Sequence, residues 1–347
     1  MKKSVLLAVV FVMALTAAAF AEVKVKFHGY QWVRYEVVQV GATQDSTSDK
    51  NSFYIPRTYL RTNVDDSESG IKGRLTLDIN NDQYGQKVAT TAAAGAIDWA
   101  IWVKYGYVDF PLPIPEATLR VGLQNFYFGS VDKWSYPITT SAAYGDRQKI
   151  VPSSAEQGIA LVGLLPEGFG DYEIAIYNGA GYKKLEDNAE KMYLVSSTIV
   201  PLPGLSIRGS YLKTITNAIN AATKDYSATG VVLTYATGPL EASVEYNVKK
   251  EVKNATATRS GVMEGVSVYL GAKVMDPLTL SLRYDAHNPD TGIARNEINY
   301  IMAGITYKIS SKVDLQLSYE FEQPKFLTGH PNNDHKNKFI AQTKWSW

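Results

Sequence analysis

The sequence predicts an all-β protein, a transmembrane antiparallel β-barrel of about 16 strands arranged as an up-and-down meander. Many segments of about ten residues alternate between apolar and polar side chains, as strands with lipid on one side and water on the other do. The connections between these segments alternate between short and long. Beyond residue 21, no apolar run approaches the roughly 20 residues that a membrane-spanning helix needs.

The first 21 residues have the pattern of a secretion signal. Lys2 and Lys3 precede the apolar stretch 4–16, and Ala19-Phe20-Ala21 forms a small-x-small cleavage site. We expect residues 1–21 to be a cleaved signal peptide and residues 22–347 to form one barrel domain in a bacterial outer membrane.

The composition excludes several classes of function. The 35 Lys and Arg residues nearly balance the 34 Asp and Glu residues, so nucleic acid is not an expected partner. The chain has no cysteine, which excludes disulfides and thiolate metal sites. The four histidines show no metal-ligand spacing. We therefore predict neither a cofactor nor a metal, and no catalytic residue.

Four segments show the alternation most clearly. In 72–80, apolar residues alternate with charged, Thr and Asn residues, and 240–249 and 313–322 repeat this pattern. So many charged side chains on one face would be unfavourable in the core of a soluble protein, but they suit the wall of a water-filled lumen. The closing segment, 337–347, places tryptophan on its apolar face. A soluble sheet would expose that face as a sticky edge, so the segment favours contact with lipid.

The same pattern, read along the chain, predicts sixteen strands. We expect them at roughly 23–37, 53–65, 70–81, 97–110, 118–128, 156–166, 171–182, 189–200, 205–215, 226–237, 240–252, 263–275, 278–288, 297–309, 313–324 and 337–347. The short connections carry the Gly, Pro, Asp and Ser of tight turns and would face the periplasm, with long loops outside. Segments 156–166 and 189–200 alternate poorly, so they face a neighbouring subunit or contain a bulge.

Tyrosines near strand ends suggest an aromatic belt at the membrane interface, where an amphipathic ring is favourable. The predicted belt comprises Tyr105, Tyr107, Tyr127, Tyr211, Tyr235, Tyr246, Tyr284, Tyr307 and Tyr319.

Sixteen strands enclose an aqueous channel rather than a packed core. The longest connection, 129–155, is the third long loop, and its length and aromatic content predict that it folds into the lumen. Its charges are Asp132, Lys133, Asp146, Arg147 and Lys149, with Glu156 just beyond its end. The wall facing it is predicted to be basic, with Arg57, Arg61, Lys72, Arg74, Lys104 and Arg120 pointing inward.

The sequence allows three interpretations of the basic residues on this wall. The cations raise the local potential and favour anions. Alternatively, they pair with Asp78, Asp98 and the loop acids in a mixed constriction. A one-residue slip in register would instead turn these side chains to the other face.

Three segments carry a resemblance to a known family: 53–80, the stretch RVGLQNFYFGSVD at 120–132, and the closing aromatic strand. The chain resembles Gram-negative general porins and looks most like their phosphate-selective group. Tyr127-Phe128-Gly129 stands where that group has Pro-Phe-Gly. The resemblance implies a homotrimeric diffusion channel of sixteen strands with an inserted third loop. The balanced charges of this loop depart from the lysine cluster of the phosphate-selective members.

We therefore predict a porin for passive diffusion of small hydrophilic solutes and ions, in contact with outer-membrane lipid and lipopolysaccharide. Anion preference is an open alternative. A second alternative is a channel specific for phosphate, organic anions or sugars, and the candidate aromatics for a sugar path are Tyr30, Trp32, Tyr59, Trp102 and Tyr269. An outer-membrane enzyme would need a histidine base near a nucleophile, and no G-x-S-x-G motif is present. A metal site at His330, Asp334 and His335 is less favoured than a solvated loop.

Overall fold

The computed structural model describes residues 23–41, 50–80, 99–130, 150–151, 153–183, 186, 191–215, 225–251, 261–293, 296–325 and 334–347. The predicted signal peptide lies outside these residues. The strands are β1 Val23–Val40, β2 Lys50–Asp66, β3 Lys72–Asn80, β4 Ala100–Pro111, β5 Ala117–Asn125, β6 Ala155–Leu165, β7 Gly170–Tyr177, β8 Lys191–Leu202, β9 Leu205–Ile215, β10 Tyr226–Thr237, β11 Leu240–Glu251, β12 Val262–Met275, β13 Leu278–Asn288, β14 Glu297–Lys308, β15 Val313–Lys325 and β16 Lys336–Ser346.

Each strand pairs antiparallel with its neighbours in the chain, and β1 pairs with β16 to close the barrel. The closing register runs from Tyr30 opposite Ser346 to Val40 opposite Lys336. Gly29 and Trp347 add two backbone hydrogen bonds, of 3.3 and 3.1 Å. A side chain at Gly29 would collide with the Trp347 ring and with the Tyr59 carbonyl, so glycine is required at this contact.

The barrel is apolar outside and polar inside. On β13, Leu280, Leu282 and Tyr284 are 40–58% exposed on the outer face, whereas Arg283 and Asp285 are buried on the inner face. Soluble proteins have the opposite distribution of polar and apolar side chains, so this distribution confirms the predicted transmembrane barrel with its meander order. Among the described residues, no helix is both long and apolar enough to cross a membrane.

Two strands end earlier than predicted. The fifth ends at Asn125 rather than near residue 128, because Phe126 and Phe128 turn into the lumen and become fully buried. The seventh ends at Tyr177 rather than near residue 182. Gly179 and Gly181 follow it with φ values of +96° and +79°, a left-handed conformation that glycine adopts at little cost and that turns the chain out of the extended strand.

A bulge in β4 changes the direction of two predicted belt tyrosines. Thr76 pairs with Tyr105 and Leu77 with Val103, so Lys104 is an extra residue in the ladder. Because a bulge shifts the alternation by one position, both Lys104 and Tyr105 point inward.

The belt prediction was therefore wrong for Tyr105 and Tyr107, and also for Tyr127, which lies beneath Arg208 inside the barrel. It was correct for the other six tyrosines, which are 41–48% exposed on the outer surface: Tyr211, Tyr235, Tyr246, Tyr284, Tyr307 and Tyr319.

The two faces of β13 should respond differently to the same charge. We expect Leu282→Arg, on the outer face, to lower the free energy of unfolding by about 2–4 kcal/mol, the cost of arginine near the middle of the bilayer. Thr279→Arg, on the inner face of the same strand, should cost much less. Urea unfolding from lipid vesicles measures both, and equal losses would contradict the assignment of faces.

Candidate functional site

The chain between β5 and β6 enters the lumen at both of its described ends. Phe126, Phe128 and Ile150 are fully buried, and Val151 is 2% exposed. The Phe126 N–H donates to the Ser154 carbonyl at 3.2 Å, which joins the outgoing and returning chain. We call residues 126–130, and residues 150–151 with 153–154, the two feet of the inserted segment.

The feet rest on an apolar patch of the inner wall. This patch consists of inward-facing residues from β6 to β10, namely Ala160, Ala175, Tyr177, Met192, Leu194, Leu212 and Ala228. The Phe126 ring meets the Tyr177 ring edge-on, with centroids 5.7 Å apart. Gly230 leaves the space that Phe128 fills, since a Cβ there would lie 3.0 Å from the ring.

Polar contacts hold the outgoing foot to the next part of the wall. Arg208 donates to the Gly129 carbonyl at 3.3 Å, and the Ser210 hydroxyl donates to the Tyr127 carbonyl at 3.5 Å. The Ser130 hydroxyl donates to the Glu245 carboxylate at 2.5 Å. The foot is thus anchored to β9, β10 and β11.

This patch also explains the poor alternation of β6 and β8. Both strands are apolar on the outer face, where Ile159 and Val195 are about half exposed. They are also apolar on part of the inner face, because the feet cover Ala160, Met192 and Leu194 there. The β8–β9 ladder also shifts register between Ile199 and Leu202, an irregularity of the kind predicted for this segment. The predicted contact with a neighbouring subunit stays a prediction.

The six predicted basic residues all lie on the inner face of β2 to β5, and two of them are paired with acids. Arg57 lies 3.2 Å from the Asp78 carboxylate. Arg120 binds the Asp109 carboxylate through two hydrogen bonds of 2.6 and 2.8 Å. Such bidentate pairs are strong and directional, so the charge of Arg120 is largely compensated locally.

Arg61 and Arg74 have no carboxylate partner among the described residues. The Arg61 guanidinium lies over two adjacent rings, 5.0 Å from Tyr30 and 4.8 Å from Tyr59, and these rings attract a cation without neutralising it. Arg74 donates to the Asn63 amide oxygen at 2.9 Å, and the amide nitrogen of Asn63 is 2.9 Å from His28. Arg61 opposes Thr76 and Arg74 opposes Asn63, so the two arginines are diagonal neighbours.

Lys104 and Glu156 are each 1% exposed. They lie on the inner face of the wall, in the half that is farther from the short turns. Lys104 hydrogen-bonds the Ser154 hydroxyl, and its ammonium lies 3.8 Å from the Tyr182 ring centroid. The Glu156 carboxylate accepts the Gly181 N–H at 3.0 Å. Both residues therefore hold the returning foot and the β7–β8 connection together.

Lys72 lies apart from the others, exposed at the turn end of the barrel. There it borders a cavity of about 740 Å³ that also contacts Asp109, Arg120, Tyr127 and Glu173. These side chains come from the inner wall and from the outgoing foot. The cavity is thus the part of the lumen between the feet and the turns.

The wall away from β1–β5 carries both acids and bases. Glu173 accepts a hydrogen bond from the Tyr177 hydroxyl at 2.6 Å, and Glu245 accepts one from Ser130. Asp285 is bound by Arg283 at 2.8 Å, and Glu320 lies 3.9 Å from Lys338. The charges on this side of the lumen are thus mixed, whereas the predicted basic residues lie together on β2 to β5.

The other predicted loop charges, Asp132, Lys133, Asp146, Arg147 and Lys149, lie outside the described residues, as does Asp98, so their role stays a prediction. Sequence reasoning missed Asp109 and Tyr182. The alternation of β4 without its bulge assigned Asp109 to the outer face, and Tyr182 was assigned to a strand. Within the described ranges, no group of three or more His, Asp or Glu residues could hold a metal ion.

No protein-family model and no curated protein sequence matches the chain. Solved structures do match. The anion-selective porin from Comamonas acidovorans is 13% identical, with a TM-score of 0.65 over 94% of this chain and 100% of its own. Pseudomonas putida OprB is 10% identical, with a TM-score of 0.65 over 93% and 94%. The trimer form of OmpT, an outer membrane protein of Vibrio cholerae, is 13% identical, with a TM-score of 0.62 over 94% and 99%. The chain has the fold of these outer-membrane porins.

The inserted segment should depend on its aromatic anchor. We expect Phe128→Ala to lower the free energy of unfolding by about 3–5 kcal/mol, as the loss of a buried phenylalanine does. Phe53→Ala, which removes a ring that is 76% exposed, is the matched control and should cost far less. Urea unfolding in vesicles compares the two, and a similarly small loss for both would show that Phe128 does not anchor the segment.

Proposed function

We propose that the protein is an outer-membrane porin, a non-catalytic channel through which small hydrophilic solutes and ions diffuse passively. One observation carries this proposal: a closed sixteen-strand barrel has a charged inner wall and is narrowed from inside by its own chain. Barrels of this size enclose water, and side chains alone do not fill them. The porin names of the structural neighbours support the same function.

We further propose that the lumen separates charges and weakly prefers anions. Arg57 and Arg120 are matched by Asp78 and Asp109, so they contribute little net charge. Arg61 and Arg74 are held by rings and an amide instead, and they keep their charge for solutes. One structural neighbour is named an anion-selective porin, which agrees with this preference. We favour a general channel over one specific for phosphate, organic anions or sugars.

The aromatic residues argue against a sugar path along β1 and β2. Trp32 and Tyr59 are 5% and 3% exposed. The Tyr30 ring stacks on Trp32 at 5.6 Å and has Arg61 and Lys344 near it. These rings position cations, so they leave little free face on which a sugar could stack.

Recording in a planar bilayer with a salt gradient tests the channel and its preference together. Wild-type protein should give stable current steps and a reversal potential whose sign shows that anions are more permeant than cations. No conductance from a folded barrel would overturn the proposed function.

Arg61→Gln combined with Arg74→Gln should move the reversal potential toward cations. Asp78→Asn should move it toward anions, because it leaves Arg57 without its carboxylate. Each charge should change the anion-to-cation permeability ratio about threefold, the effect of a unit charge about 7 Å from an ion's path in roughly 0.1 M salt. The control is Lys249→Gln, on the opposite wall, where Lys249 is paired with Glu251. An equal shift of the reversal potential in this control would show that the charges on β2 and β3 have no special role in selectivity.

We also propose a homotrimer, with the outer face of β2 to β6 turned toward a second copy. Exposed tyrosine or tryptophan occurs on the outer face of every strand from β8 to β16 except β12. The described outer surface of β2, β3, β5 and β6 has neither, and on β4 only Trp99, just before the strand, is exposed. Interfacial aromatics mark contact with the headgroup region, so the bare face is the one that suits protein. The remaining surface would contact lipid and lipopolysaccharide.

The cysteine-free chain allows a direct test of this face. A bimane label on Leu60→Cys (β2) should be quenched by brominated lipid much less than a label on Val244→Cys (β11), because protein would cover the first. Both positions are 42% exposed in the single chain. Equal quenching would place both faces in lipid and contradict the proposed interface.

A further inference from the structure

The connection between β7 and β8 brings a second segment to the basic wall. After Tyr177, the chain continues through Asn178 to Lys183, and its contacts extend from the neighbouring strand β6 to β4 and β2. The Tyr182 ring lies 3.8 Å from the Lys104 ammonium on β4. The Arg57 side chain on β2 lies near the Tyr182 hydroxyl.

This segment lies against the inner face of the wall. Its contacts extend from Glu156 on β6 to Lys104 on β4, which is three strand spacings from β7, or about 14 Å along the wall. The five residues from Tyr177 to Tyr182 span at most about 18 Å when fully extended, which is enough to reach β4. Because Lys104 points inward, Tyr182 lies on the lumen side of the wall.

The segment is built to stay in that position. The Glu156 carboxylate, 1% exposed, accepts the Gly181 N–H at 3.0 Å, and the Gly179 N–H lies nearby. A Cβ at Gly181 would lie 3.0 Å from the Ser153 side chain, so the returning foot packs directly against this glycine. Burial raises the pKa of the Tyr182 hydroxyl above its ordinary value, which keeps the residue neutral beside Lys104 and Arg57.

Lys183 adds a charge at the same place. Its side chain is exposed, and its ammonium lies 5.6 Å from the ring centroids of Trp102 and Tyr182. Trp102 points inward from β4, on the same side of the sheet as Asp78 and Arg57. Lys183 therefore stands over the lumen above the paired Arg57 and Asp78.

We infer that residues 178–183, the described first part of the β7–β8 connection, form a second constriction element, in which Tyr182 narrows the path and Lys183 presents a cation to passing anions. This inference rests on the proposed channel function and names two residues that determine its size and selectivity. The inserted segment then forms one border of the path and the β7–β8 connection forms another.

Thiol chemistry in the channel tests the inference, because the chain contains no cysteine. Lys183→Cys introduces one thiol, and an anionic and a cationic methanethiosulfonate reagent are applied in turn to the conducting protein. Stepwise current changes, with reversal potentials shifted in opposite directions by the two reagents, are expected. Lys213→Cys, on the outer face of β9, is the matched control and should show no steps.

Two further variants measure size and charge. Tyr182→Ala should raise the single-channel conductance, whereas Tyr193→Ala, which removes the same ring from the outer face of β8, should not. Lys183→Gln should lower the anion-to-cation permeability ratio about threefold. Tyr182→Phe keeps the ring and should stay close to wild type, which separates narrowing from misfolding.

The outcomes distinguish the two proposals. A wild-type protein that folds but does not conduct overturns the channel itself. A different set of results would overturn only the second constriction element. The wild type would conduct, Lys183→Cys would give no current steps with either reagent, and Tyr182→Ala and Tyr193→Ala would both keep the wild-type conductance.

Discussion

Every other feature of this molecule depends on the backbone hydrogen bonds that close the sheet between β1 and β16. Lipid offers no partner to an unpaired N–H or carbonyl, so a sheet can span a bilayer only when it has no edge. The eleven paired positions of this register, and the Gly29–Trp347 bonds beyond them, remove the last edge. Closure then fixes the direction of each side chain, because alternation along a closed ladder leaves only an outer and an inner face.

The inner face meets two different surroundings, and its composition follows them. Around β2 to β5 it meets water and carries cations, acids and tyrosines. Around β6 to β10 it meets the feet of the inserted segment and carries Ala160, Met192, Leu194 and Leu212. An apolar inner wall in a water-filled barrel would be unfavourable unless something covered it. The position of the inserted segment is therefore encoded in the wall as much as in the segment itself.

The sequence predicted the features that depend on the period of two. The number of strands, their order, the alternation of short and long connections and the inward side of Arg57, Arg74 and Arg120 all follow from it. The sequence could not predict the bulge at Lys104. One extra residue in a ladder reverses the faces of the side chains that follow it, but it leaves the residue types of the strand unchanged. The same limit hid Asp109 as the partner of Arg120. Tyr182 was missed because an apolar stretch with glycines continues a strand pattern past the point where the chain leaves the wall.

The basic residues of this wall show that a count of charges does not determine the field in a channel. Arg120 is bound in two places by a carboxylate and also lies over the Tyr107 ring. Arg61 lies over the Tyr30 and Tyr59 rings and has no carboxylate partner among the described residues. A carboxylate holds a guanidinium and compensates its charge. Neutral rings hold a guanidinium without compensating its charge, so arginines on the same wall differ in the local potential that they produce.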